Sequence, residues 1–361
     1  MSEPDPGRAY RTLDGLRGVA ALIVVTRHVG AIFPGNLFPE SFLAVDLFFL
    51  LSGFVVAHAY EARLLAGRSL LSFMKTRLIR LYPLYLLGLG LGVVAWVATA
   101  YVEGGGLDPA ALVQTLAVAL LMLPALPLLP KGGSILDGPT WTLAPELAVN
   151  LVYAAAVKRL GRRALWTIVA LSGAGLVAAE YAYGSLDEGW SAKAFPLLMA
   201  RLSFSFFLGV SMFRLRLPRR CGPIAACTCL AVLAAALMAR PSSSLRHLYE
   251  LGAVMLAFPA IVGMAVQREP GRVSGALFGF LGAVSYAVYV LHHPLGRLVG
   301  LVVDRGQGVS VLVNGGLFLL GLVMIGALAD HVYDRPLRRW LAALRFVRPA
   351  RLRPDFNPGE A

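Results

Sequence analysis

Arg17 and His28 pose the first chemical question, because both lie inside an apolar stretch, "LDGLRGVAALIVVTRHV" from Leu13 to Val29. Asp14 and Arg27 share the stretch. A charged group at bilayer depth costs roughly 2.5–3.5 kcal/mol on insertion scales, so such groups need partners or a task. The separation of the two is just over three helical turns. That sets them on one face of a helix, roughly 16 Å apart along its axis. An imidazole exchanges protons near neutral pH, and a guanidinium holds anions. A stripe of these two groups reads as the lining of an internal cavity. The blander reading, a snorkelling arginine and a histidine closing one interhelical hydrogen bond, stays open on these residues alone.

Further polar groups interrupt apolar sequence downstream. Asp46 lies in "AVDLFFLLSGF" and Glu146 in "WTLAPELAVN", near Trp141. Tyr286, Tyr289, His292 and His293 lie in "SYAVYVLHHP", and Asp330, His331 and Asp334 in "ADHVYDRPLRR". Arg77 and Arg80 precede Pro83 in "KTRLIRLYPLY", expected as a loop entering a span. Any one of these serves packing as readily as chemistry; so many together exceed what packing needs.

The elements that must position them are membrane helices. The 361 residues are 58% hydrophobic and 15% charged, with a mean hydropathy of +0.70. Soluble domains run near about 45–50% and about 25%. The runs 41–60, 81–102, 222–239, 249–266 and 309–329 are each long enough to span hydrocarbon as a helix. No cleavable signal is expected, since the polar start "MSEPDPGRAYRT" is followed by a charged apolar run without a small-residue cleavage site. Cys221, Cys227 and Cys229 have no matching ligand cluster, so neither a metal site nor a disulfide framework is expected. The net charge of +13 sits in short loops between apolar runs, which fits anionic lipid headgroups and not nucleic acid.

Candidate helices fall at 14–33, 41–60, 81–102, 110–130, 139–157, 164–183, 196–213, 222–239, 249–266, 276–299 and 309–332. Pro124, Pro127 and Pro130 argue that 110–130 is a re-entrant or surface segment. With that segment not crossing, 24 of the 33 Lys and Arg residues gather on one side, which then faces the cytoplasm. The expected fold class is all-α: a polytopic membrane helical bundle of about ten transmembrane helices, with N and C termini cytoplasmic. Residues 1–340 are expected to form one membrane domain and 341–361 a basic cytoplasmic tail. No internal repeat of the kind that marks many transporters is visible.

These motifs resemble, in order, those of the acyltransferase-3 family of integral-membrane O-acyltransferases, over about residues 10 to 340. The first is Arg-x10-His, Arg17 and His28; the second is V-D-L-F-F-x-x-S-G-F, with Asp46, Ser52, Gly53 and Phe54. The third is R-x-x-R-x-x-P, with Arg77, Arg80 and Pro83; the fourth is W-[ST]-L-x-x-E, with Trp141 and Glu146. The fifth is S-Y-x-x-Y-x-x-H, with Ser285, Tyr286, Tyr289 and His292. The family's closing E-x-P-x-R stands here as "DRPLR", with the shorter Asp334 at the acidic position. Arg27 beside His28 is a second departure, placing a cation next to the imidazole unless it is paired or points away.

The resemblance implies acyl-CoA, most often acetyl-CoA, as a cytoplasmic donor substrate, with no permanently bound cofactor and no metal. It implies a hydroxylated, carbohydrate-like acceptor and an inner-membrane location among membrane lipids. His28 is then expected as general base, with Arg17 orienting thioester or phosphate, and Glu146 or Asp46 orienting the imidazole or binding sugar hydroxyls. Arg77 and Arg80 would hold the donor's phosphates; Trp141, Tyr286, His292 and Asp334 would contact substrate. Some family members carry an added extracytoplasmic hydrolase-like domain. Without one here, the acyl group is expected to pass directly or through a separate acceptor-delivery protein, and a homo-oligomer stays open. A multi-span exporter of a polar or acylated small molecule is the alternative class. A glycerolipid acyltransferase of the H-x4-D type is disfavoured, because no histidine has an aspartate five residues later.

Overall fold

A computed structural model describes residues 10–33, 35–104, 108–122, 136, 138–188, 193–303 and 309–344, the side chains of 309–311 excepted. The chain is an all-α bundle. Its helices are α1 (Arg11–His28), α2 (Ala44–Leu65), α3 (Leu70–Val102), α4 (Pro109–Leu120), α5 (Leu143–Ala156), α6 (Arg162–Tyr183) and α7 (Phe195–Arg214). There follow α8 (Pro223–Met238), α9 (Arg246–Gly252), α10 (Phe258–Gln267), α11 (Arg272–Gly300), α12 (Val309–Leu328) and α13 (Arg335–Ala343). Short 3-10 turns at Pro39–Leu43 and Gly138–Thr142 lead into α2 and α5. Two-residue strands, Arg220–Cys221 and Arg268–Glu269, pair in parallel.

Among the described residues, seven helical stretches are long and apolar enough to cross a membrane. Their outer surfaces carry bare aliphatic side chains, as on α12, where Leu312, Leu317, Leu320, Met324 and Leu328 are all exposed. A contiguous apolar surface of that kind requires hydrocarbon around it.

Helix boundaries depart most from the sequence reading in three places. The helix expected from 81 starts at Leu70, where the Ser69 hydroxyl caps the Ser72 amide at 3.3 Å. Arg77 and Arg80 therefore stand on the helix and not in a loop before it. Pro83 stays inside this helix, as a buried neighbour-packed proline can in a membrane bundle. The last span runs on through a π-helical segment at Ala329–Asp334 into α13, whose Pro336 occupies the tolerated first turn. The 110–130 segment is described only to residue 122; α4 spans 12 residues, too few to cross hydrocarbon alone. Of the tail expected at 341–361, residues beyond 344 lie outside the described part.

Two helix pairs form the frame, α1 against α11 and α2 against α7. In the second, Gly53 lies so close to the Phe206 backbone that a Cβ would fall 2.0 Å from its carbonyl oxygen. Gly209 meets the Leu50 carbonyl in the same way, at 2.1 Å. The contact is reciprocal, the close backbone approach that small residues allow between membrane helices. Ion pairs clamp both ends: Asp46 with Arg201 at 2.5 Å and Glu61 with Arg214 at 3.0 Å. Gly53→Ala is expected to force α2 and α7 apart and to cost about 1–3 kcal/mol, as overpacking does. Thermal unfolding in detergent checks this, with Gly67→Ala in a surface turn too strained for direct comparison but Gly90→Ala, which meets open space, as the control.

Candidate active site

The polar residues gather around two cavities that share one wall. The first is lined by Arg17 from α1, Ser52 from α2, Arg77 and Arg80 from α3, Glu146 from α5, and Ser285 and Tyr286 from α11. Three guanidinium groups thus face one space with a single carboxylate among them. Glu146 accepts from Arg77 Nη2 at 2.7 Å and from Ser52 Oγ at 2.9 Å. Arg17 donates through Nη2 to Asp14 at 2.8 Å and to the Gly282 carbonyl at 3.1 Å, and through Nε to Ser285 Oγ at 3.1 Å. Its head is held by α11 and by its own helix, so its position is set before any ligand arrives. Arg80 lies 5.9 Å from the Tyr286 ring centroid and 3.8 Å from Asp334. Asp334 is fully buried behind it and is also paired with Arg338 at 2.8 Å.

The second cavity is lined by His28 and Arg27 from the end of α1, Phe42 and Ser41 from the turn before α2, Trp141, Asp187 and Arg201. His28 Nδ1 lies 3.0 Å from the Val24 carbonyl and 3.3 Å from His292 Nε2. His292 Nδ1 lies 2.7 Å from the Tyr289 carbonyl. A carbonyl only accepts, so each Nδ1 carries the proton and each Nε2 keeps its lone pair. His28 Nδ1–H is shared between Val24 and His292, and His28 Nε2 is the basic atom. Arg27, the cation beside it in sequence, is engaged elsewhere: its Nη2 donates to both oxygens of Asp187, at 2.6 and 2.7 Å, and it lies over the Phe42 ring.

The far wall of this cavity is a short loop, residues 184–188, held from two sides. Glu250 accepts from the Leu186 amide at 2.6 Å and from Ser185 Oγ. Arg201 Nη1 donates to the Leu186 carbonyl at 2.8 Å, while its Nε and Nη2 grip Asp46.

Several expectations change on this geometry. Arg17 and His28 do lie on one side of α1 but open into different cavities, where the sequence reading has one. The orientation of the imidazole comes from Val24 and His292; Glu146 is in the arginine cavity and Asp46 is bound to Arg201. His292 is buried and Asp334 is buried, and neither lines either of these two cavities; each stands behind a residue that does. Tyr286 lines the first cavity and Trp141 the second. Arg201 and Asp187 went unassigned in the sequence reading. The signal for Arg201 was present, an arginine inside "PLLMARLSFSFFLG", but its partner is 155 residues away. Among the described residues no cluster of His, Cys, Asp and Glu could hold a metal.

Removing one partner of a buried ion pair leaves the other charged and alone, at about 3–5 kcal/mol, whereas replacing both with apolar groups is often neutral. Asp46→Leu is therefore expected to reduce the folded yield sharply, and Asp46→Leu with Arg201→Met to restore much of it. Detergent-extracted yield and melting temperature decide the matter; equal losses in both variants would show that the Arg201 bonds to the Leu186 and Phe42 carbonyls weigh as much as its pair with Asp46.

Comparison with known proteins gives the family. The profile of the acyltransferase-3 family, described as an acyltransferase domain, matches residues 10–329. The chain is 27% identical over 394 aligned residues to acyltransferase MdmB of Streptomyces mycarofaciens, covering 99% of this chain and 98% of that one. It is 45% identical over 175 residues to protein 2 in the picA locus of Rhizobium radiobacter, covering 45% of this chain and 88% of that one. No solved structure matches. With the profile covering nearly its whole length and the motif residues gathered around paired cavities, the chain belongs to the acyltransferase-3 family and is a multi-pass membrane acyltransferase.

Proposed function

We propose that this acyltransferase moves an acetyl group from cytoplasmic acetyl-CoA to a hydroxyl of a carbohydrate acceptor, in the inner membrane with both termini cytoplasmic. Residues 1–340 act as one domain, and 341–361 form a basic tail at the lipid headgroups. The observation that carries the reading is the division of labour between the cavities: guanidinium groups line one and an imidazole with an available Nε2 lines the other.

Coenzyme A is polyanionic, and guanidinium forks bind phosphate bidentately. Arg77 and Arg80 stand at the end of α3 that the charge asymmetry assigns to the cytoplasm, so they take the donor's phosphates. Arg17, already fixed by Asp14, Ser285 and Gly282, lies deeper and orients the donor arm. The acceptor enters the histidine cavity, where Trp141 offers an aromatic face and Asp187 a carboxylate to sugar hydroxyls. The acceptor oxygen attacks the thioester carbonyl while His28 Nε2 takes its proton. The C–S bond then breaks, and the imidazolium returns that proton to the CoA thiolate. The base ends neutral and the products are the ester and CoA. Shared with Val24 and His292, Nδ1 keeps its proton throughout, which holds Nε2 in the accepting form.

Replacing His28 with Ala is expected to lower transfer from labelled acetyl-CoA by roughly 10²–10⁴-fold, the usual contribution of a general base. Arg17→Ala is expected to lower it roughly 10–100-fold, the scale of a lost charged hydrogen bond. Both are read in membranes at equal protein abundance, and activity retained in both variants would refute these roles. Arg77→Ala and Arg80→Ala are expected to raise the KM for acetyl-CoA; a change confined to the acceptor KM would remove CoA from the arginine cavity.

A further inference from the structure

The two cavities touch along one wall, and that wall is one side chain thick. Phe48 from α2, Thr142 from the Gly138–Thr142 turn and Tyr289 from α11 line both spaces. The Thr142 and Tyr289 hydroxyls are 2.7 Å apart, and the Phe48 and Tyr289 rings meet edge to face at 6.0 Å. The Tyr289 hydroxyl also donates to the Pro139 carbonyl on the same turn. A phenol has one proton, so with Pro139 receiving it the Thr142 hydroxyl must donate to Tyr289. The ring is thus latched at its tip by two hydrogen bonds, both to residues 139–142. At its base, the Tyr289 carbonyl accepts from His292, the partner of His28.

We infer that Tyr289 is the specificity-determining gate of this enzyme: latched to Pro139 and Thr142 it closes the passage between the cavities, and the thioester reaches His28 only when the latch is released. This rests on the reading above, in which the donor occupies the arginine cavity and the acceptor the histidine cavity. Trp141 lies between the two latch residues in sequence and lines only the histidine cavity. An acceptor seated against Trp141 acts directly on the turn that holds Tyr289. Such a ligand shifts the gate toward open by whatever extra affinity it has for the open form.

The competing reaction makes the purpose of the gate plain. If water in the histidine cavity met the thioester, its oxygen would attack the carbonyl and the C–S bond would break. His28 would pass the proton to the thiolate, releasing acetate and CoA with nothing acylated. A latch that opens on acceptor binding separates a sugar hydroxyl from water, two nucleophiles of similar chemistry and very different concentration.

The test uses the full-length protein in sealed membrane vesicles. Tyr289→Phe deletes one oxygen and keeps the ring, and Thr142→Val deletes one hydroxyl; neither removes a group that the transfer step consumes. In each, acceptor-independent release of CoA from acetyl-CoA is expected to rise relative to acceptor-dependent transfer, by roughly fivefold for each hydrogen bond lost. A second readout needs no donor. Val55 lines the arginine cavity alone. Val55→Cys is expected to resist a membrane-impermeant maleimide applied from the histidine-cavity side, and to be labelled from that side once Tyr289→Phe is added. Peptide mass spectrometry distinguishes this site from Cys221, Cys227 and Cys229. An unchanged CoA-release ratio and unchanged labelling in both variants would overturn the gate, even with His28→Ala inactive and the site reading intact. Full transfer in His28→Ala would instead sink the site reading, and with it the selection role assigned to Tyr289, whatever the labelling shows.

Discussion

The structure turns on a guanidinium that is almost wholly removed from solvent. Arg201 sits in the middle of the bundle, 2% exposed, and every direction it points must meet an acceptor. Its Nε and Nη2 take both oxygens of Asp46, Nη2 reaches the Phe42 carbonyl and Nη1 the carbonyl of Leu186. One side chain therefore joins α7 to the start of α2, to the turn that precedes it and to the 184–188 loop. The reach continues outward. The loop so fixed presents Asp187 to Arg27, and Arg27, occupied there, is not a bare cation beside His28. A pairing demanded by low dielectric at one place thus sets the electrostatic surroundings of the imidazole at another.

The same demand explains why the two cavities differ. Cations at the arginine cavity are held by contacts that leave them partly available: Arg17 keeps Asp14 and Ser285 as company, and Arg80 has Asp334 only at 3.8 Å. In the histidine cavity the cations are consumed, Arg27 by Asp187 and Arg201 by Asp46. The lining of one space keeps more guanidinium than carboxylate, and in the other the two are matched.

Packing supports the arrangement through close backbone approach. α1 lies against α11 with Gly18 on the Leu281 backbone and Gly282 on Asp14. This is how Ser285 and the Gly282 carbonyl come within reach of Arg17, and how His292 meets His28 one cavity further along. The helix carrying Arg17 and His28 and the helix carrying Ser285 and His292 are thus packed backbone to backbone. α2 and α7 form the other such pair, and the wall of Phe48, Thr142 and Tyr289 stands where elements of both pairs meet the turn at 138–142.

Much of this was legible in the residues themselves. Apolar runs marked the helices, since a chain in hydrocarbon must satisfy its backbone internally. The spacing of Arg17 and His28 placed both along one side of α1, because helical period is a local property. Motif order carried the family, which the profile match bears out. What the residues could not carry is who meets whom across the bundle. Asp46 read as a candidate for the imidazole and proved to belong to Arg201; Glu146 read the same way and lies with Arg77 and Ser52; His292 read as a substrate contact and stands behind His28. Each of these pairings spans tens to hundreds of residues, and an unpaired charge in a membrane specifies only that some partner exists, not which one. That choice, and the division of one expected cavity into two, follow from how helices pack and turn about their axes, which only the assembled tertiary structure decides.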